Sequence, residues 1–180
     1  MGFGVDKWPG VQSTLVATGG KVLIERPFGV SLGMAYVNGS GIYPGMLVTG
    51  AGSTSPDLQL PDARVDEISG VALRMCGTAA ATAPDTAFTD NEPFEFAPTG
   101  SGCVVAVKFY SNAGWYPGQY VIGHGSGFGE GSWTADVAAN VSSIISHFKC
   151  MFGRGVTYQT DTSTPGGTYT YVYSLVRLSL

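Results

Sequence analysis

Short apolar runs broken by Gly, Pro and Asn dominate the chain, and most alternate with a period of two, the spacing of a strand with one buried face. Lys21–Arg26 (KVLIER) is rich in branched residues and stops at Pro27. Met46–Thr49 follows the turn signal Tyr43-Pro-Gly and ends at Gly50-Ala-Gly. Asp66–Met75 is longer, and Gly70 in its middle predicts a bulge or a close backbone contact. Pro93–Ala97 sets Phe94 and Phe96 on one face with Glu95 on the other. In Ser101–Tyr110 the residues Cys103, Val105, Val107 and Phe109 share a side. Tyr116-Pro-Gly-Gln-Tyr-Val-Ile reads as a turn and a strand. The last run, Thr168–Leu180, starts with Tyr169, Tyr171 and Tyr173 on one face and then shifts its apolar parity to Val176, Leu178 and Leu180, as a bulge requires.

One segment has the other period. Between 134 and 148, Val137, Val141, Ile144, Ile145 and Phe148 form a stripe about 100° wide on a helix. Ser142, Ser143, Ser146 and His147 fall opposite. Ser132 or Thr134 caps its start and Gly153 its end. Residues 1–18 contain Gly2, Gly4, Pro9 and Gly10, which discourage helix, yet carry Phe3, Trp8 and Leu15. This arm is a disordered tail, a first strand or an extended strap, and Trp8 favours a strap laid on a neighbour. The pattern predicts a mainly β protein: an arm over 1–18, then a single β-rich domain over 19–180, a β-barrel or β-sandwich with one short helix near 134–148.

Composition sharpens this. Charged residues are 12% of the chain, about half the usual quarter, while the apolar fraction of 44% is ordinary. A surface so poor in charge points to contact with protein, although Ser/Thr/Asn/Gly-rich surfaces are also soluble. The 27 glycines have no collagen period and fall between the apolar runs, where turns require positive φ. A net charge of −4 and nine scattered Lys and Arg argue against nucleic acid. No apolar stretch is long enough for a membrane span, and Met-Gly-Phe-Gly-Val-Asp is no signal peptide. Cys76, Cys103 and Cys150 lack metal-ligand spacing and read as small core hydrophobes of a protein made in a reducing compartment.

Candidate chemistry is thin. Of the two histidines, His147 lies on the polar side of the predicted helix. His124 sits in Gly123-His-Gly-Ser-Gly-Phe-Gly-Glu-Gly, where every second residue is Gly. That stretch fits neither a phosphate loop nor a nucleophile elbow, and reads as a flexible loop or one at an oligomer axis where backbones crowd. Two carboxylate groups, Asp57/Asp62/Asp66/Glu67 and Asp85/Asp90/Glu92/Glu95, lack calcium-loop spacing and belong to turns that hydrogen-bond locally. Trp115-Tyr116, Trp133 and the C-terminal tyrosines offer stacking surfaces for sugar rings, the basis of a carbohydrate-binding alternative. These residues predict no catalytic constellation, no cofactor and no metal.

Over residues 40–110 a rhythm emerges: Tyr43-Pro-Gly-Met-Leu-Val, then Asp66-Glu-Ile-Ser-Gly-Val-Ala-Leu, a loop with Asp90-Asn-Glu, then Pro93-Phe-Glu-Phe and Val104-Val-Ala-Val-Lys. It resembles the capsid decoration, or cement, proteins of tailed bacterial and archaeal viruses. The resemblance implies a β-barrel or β-tulip-like protein, often trimeric and made in the host cytoplasm. Such a protein sits on the virion surface and bridges subunits of the major capsid protein against internal pressure. In that setting Phe3 and Trp8 are the expected anchors of an arm that adds a strand to a shell subunit. A tail, turret or fibre component is the related alternative.

Overall fold

The computed structural model describes residues 22–52, 56–62, 67–76, 86–110, 119–123, 126–132, 148–152, 159–161 and 169–178. Among them are twelve strands and no helix. The strands are β1 (Leu23–Glu25), β2 (Gly33–Val37), β3 (Leu47–Gly50), β4 (Asp57–Gln59), β5 (Ile68–Met75) and β6 (Pro93–Pro98). They continue with β7 (Val104–Tyr110), β8 (Tyr120–Gly123), β9 (Gly129–Ser132), β10 (Phe148–Phe152), β11 (Gln159–Asp161) and β12 (Tyr169–Leu178).

Five strands close a barrel in the order β2-β4-β3-β5-β6, antiparallel except for β2 and β4. Its inside is filled by Ala35, Val37, Ile42, Val48, Leu58, Ala72, Phe88 and Phe94. Phe88 and Phe94 meet at 5.3 Å in a tilted pair, a favoured geometry for aromatic rings. Phe96, two residues on, also faces inward, and Glu95 between them points out to Arg74, as the alternation in Pro93–Ala97 predicts. The Phe96 ring lies where a Cβ on Gly33 or Gly70 would sit, so the strands on either side of it each offer a bare backbone. A Cβ on Gly70 would also meet the Ala97 carbonyl. The close contact expected at Gly70 is therefore present.

The other strands form a sheet in the order β1-β7-β9-β8-β10-β12-β11, and β12 pairs again with β7. The pairings thus run from β7 through β9, β8, β10 and β12 back to β7. A large core joins this sheet to the barrel: Leu47, Ile68, Val71 and Leu73 come from the barrel's outer face, and Val105, Val107, Phe109, Val121, Ile122 and Val176 from the sheet. Strands β3 and β5 therefore bury both faces: Val48 and Ala72 point into the barrel, and Leu47, Val71 and Leu73 point away from it. Two buried faces erase the polar half of a strand's alternation.

One of the links between the two halves is a turn. Tyr43-Pro44-Gly45-Met46 closes with Met46 N–H donating to Tyr43 C=O at 3.1 Å, and Gly45 has φ of 86°. This is a type II turn, with Pro and Gly in the positions it favours. Gly45 N–H donates to Ala72 in the barrel wall, and Gly45 C=O accepts from Lys108 N–H in β7, both at 2.9 Å.

Two expectations need correction. β12 pairs with β7 in unbroken register from Tyr171↔Tyr110 to Arg177↔Val104, so the parity shift near its end is no bulge against that neighbour. Leu175 and Val176 are both buried because the strand is covered on two sides. The irregularity lies in β10, between Cys150 and Phe152. The predicted helix falls outside the described residues except for Phe148, which opens β10 as a strand. Finally, Cys103 belongs to the core as expected, whereas Cys76 is half-buried beside the Arg74–Glu95 pair, just past the end of β5.

Candidate functional site

At Gly123, Gly127 and Gly129 the alternating glycines serve packing within the chain. The flanks of this stretch are β8 and β9, paired Val121↔Gly131, Ile122↔Glu130 and Gly123↔Gly129. A Cβ on Gly129 would stand 3.1–3.2 Å from Val107, Phe109 and Val121, and one on Gly123 would stand 3.0 Å from Ile68. Gly127, with φ of 80°, would push 2.6 Å from Leu60 Cδ2, and its carbonyl accepts from Leu47 N–H at 2.7 Å. Close packing occurs at these three positions, where the hairpin lies against the barrel. His124 is outside the described residues.

Where this hairpin meets the barrel rim, a half-open cleft of 390 Å³ remains, lined by Tyr43, Met46, Leu60, Pro61 and Phe128 with Ala87 on its wall and Asp62 on its lip. Lys108 lies against Tyr43 of this lining: it is fully buried, and its Nζ stands 4.7 Å over the Tyr43 ring. A desolvated ammonium over a phenol ring is worth about 2 kcal/mol, which helps to offset its burial.

The carboxylates disperse. Asp90 accepts from Gly39 N–H and from Asn91 Nδ2, each at 2.8 Å, and Asn91 turns the chain with φ of 60°. Only the bond from Asn91 is local; the bond from Gly39 ties this turn to a loop 51 residues earlier. Asp57 lies in β4 and Asp62 at the cleft, while Glu95 holds Arg74 Nε at 2.5 Å. The hydrogen bond and charge of Glu95 raise the Arg74 guanidinium above its usual value. Burial raises the Cys76 thiol, and the Glu95 carboxylate raises it further against the opposing effect of Arg74. Asp66 and Asp85 lie outside the described residues. Among the described residues, no three His, Cys, Asp or Glu side chains group as metal ligands.

Exposed apolar residues stand out instead. On the outer face of β2, Met34 and Tyr36 are 70% and 49% exposed, beside Glu95 and Pro93 of β6. Phe28 is fully exposed at the corner of a second type II turn, Pro27-Phe28-Gly29-Val30, closed at 3.2 Å by Val30 N–H donating to Pro27 C=O with Gly29 at φ of 78°. Val30 and Leu32 pack on the large core. The tip is therefore held on fixed shoulders.

Sequence reasoning missed all three. In Gly33–Val37 the outward residues are larger and as apolar as the inward Ala35 and Val37, so no alternation marks the exposed face. Pro27-Phe-Gly was legible as a turn signal, but it was read only as the end of the preceding strand. Phe3 and Trp8, the expected anchors, and Trp115, Tyr116 and Trp133 lie outside the described residues. The C-terminal tyrosines place their backbone in β12. No protein-family model and no curated protein matches the chain.

Proposed function

We propose that the chain is a non-enzymatic structural protein of a virus particle, which binds the outside of the capsid and bridges subunits of the major capsid protein. The observation that carries this reading is the outer face of β2, where Met34 and Tyr36 lie exposed on a closed barrel, rimmed by the Arg74–Glu95 ion pair. An exposed apolar patch with a polar rim marks a protein-binding surface. A rigid, hydrogen-bonded wall loses little conformational freedom when it docks. The sparse charge of 12% supports the same reading, as does the rhythm of residues 40–110, whose runs supply β3, β5, β6 and β7. In this account Phe3 and Trp8 of the arm add a second, extended contact to the shell, and the working unit is a homotrimer.

Co-sedimentation of the purified chain with shells that lack it tests the proposal. Met34→Ser with Tyr36→Ser should weaken binding by about tenfold or more, as loss of a central anchor does. Deletion of residues 1–12 should abolish binding while leaving thermal unfolding unchanged. Full binding by both variants would remove the reading.

A further inference from the structure

The chain carries a knob and a hole at separate places. Phe28 is a fully exposed phenyl group on a turn whose hydrogen bond and core-packed flanks fix its position. A turn whose backbone is already held in place gives up little backbone entropy when its tip is buried. The hole is the cleft between the barrel rim and the β8–β9 hairpin. Its walls of Tyr43, Met46, Leu60, Pro61 and Phe128 are apolar, and 390 Å³ accepts one phenyl group with a shoulder of its turn.

Phe28 does not reach the cleft of its own chain. Pro27 lies against Gly102, just ahead of β7, where a Cβ would be 3.4 Å from Pro27 Cγ. The cleft lies near the other end of that strand, where Lys108 stands over Tyr43 and Phe109 pairs with Gly129. Six residues of extended strand separate the two by about 20 Å.

Charge matches across such a contact. Arg26, exposed, stands two residues before the knob, and Asp62, exposed, lies on the lip of the hole. We propose that Phe28 of one copy seats in the Tyr43–Phe128 cleft of a second copy, with Arg26 brought towards Asp62. Knob and hole are different surfaces, so the contact is heterologous: it propagates head to tail and closes into a ring where the rotation allows. It concerns copies of this chain in solution and does not depend on any shell.

Sedimentation equilibrium of the full chain over a range of concentrations tests this. The native protein should self-associate. Phe28→Ser, which removes the knob, and Ala87→Trp, which fills the hole from an exposed wall position, should each weaken association by about tenfold or more. Each should melt like the native protein, because both sites are exposed. Mixed together, the two variants should form a one-to-one pair of native strength, since one supplies the hole and the other the knob. A native chain that stays monomeric at every soluble concentration would overturn the proposal. So would undiminished association of Phe28→Ser, or failure of the two folded variants to combine.

Discussion

At the scale of single residues, glycine carries more of the argument than any catalytic group. Gly127 combines positive φ with a Cβ position 2.6 Å from Leu60 and 3.1 Å from the Leu47 carbonyl. The left-handed backbone costs an L-residue about 1–2 kcal/mol and overpacking another 1–3. Gly127→Ala should therefore lower stability by about 2–5 kcal/mol in urea unfolding. The sequence revealed that glycines alternate at 123–131, but not which neighbours they admit, because those lie on elements distant in sequence, such as Ile68 beside Gly123 and Leu47 beside Gly127. Cys76 gives a second prediction. Its thiol is raised above the ordinary value by burial and by Glu95, so it stays protonated to higher pH and alkylates more slowly at pH 8 than a free thiol. Glu95→Gln removes the carboxylate and leaves Arg74, whose charge lowers the thiol, so alkylation should speed up several-fold. An unchanged rate would contradict the assignment. The Arg74–Glu95 pair itself, being partly exposed, contributes less than about 1 kcal/mol to the fold.

At the scale of elements, strands marked by alternation or by a run of branched residues were legible, and strands with neither were not. β6 announces itself by Phe94 and Phe96 flanking Glu95, and the apolar runs of β3, β5 and β7 by their branched residues. β2 escaped because Gly-Met-Ala-Tyr-Val has no polar member, and β4 because three residues are too few for a period. β9 escaped because Gly-Glu-Gly-Ser reads as loop: its glycines are demanded by packing, not by a turn. The parity shift in β12 was misread for a related reason. A strand covered on both faces has no polar side to keep in step. The Tyr43–Met46 turn hydrogen-bonds to both halves, through Ala72 of the barrel and Lys108 of β7. Gly45→Ala should cost about 1–2 kcal/mol from its positive φ. It should also loosen the junction, so amide exchange at Ala72 and Lys108 should accelerate together in the variant. Exchange unchanged at both would show that the turn is not what couples them.

At the scale of the whole molecule, the barrel and the second sheet share one large core beside the barrel's own, and among the described residues the large apolar groups left exposed lie on the β2 face and on the Phe28 tip. A sequence shows how many apolar residues a chain has, but not which remain uncovered once the sheets close. Phe28 and Tyr36 were therefore invisible as surface groups until the turn and the barrel placed them. Low charge with fixed apolar protrusions is what a protein needs to bind other subunits by burying surface, and on that the central claim stands. The most direct test is quantitative mass spectrometry of purified virus particles from the source, comparing this chain with the main shell protein. The account predicts a copy number close to that of the shell subunit. A handful of copies would make the chain a tail, turret or fibre part, and complete absence from particles would contradict the virion reading and bring sugar binding forward.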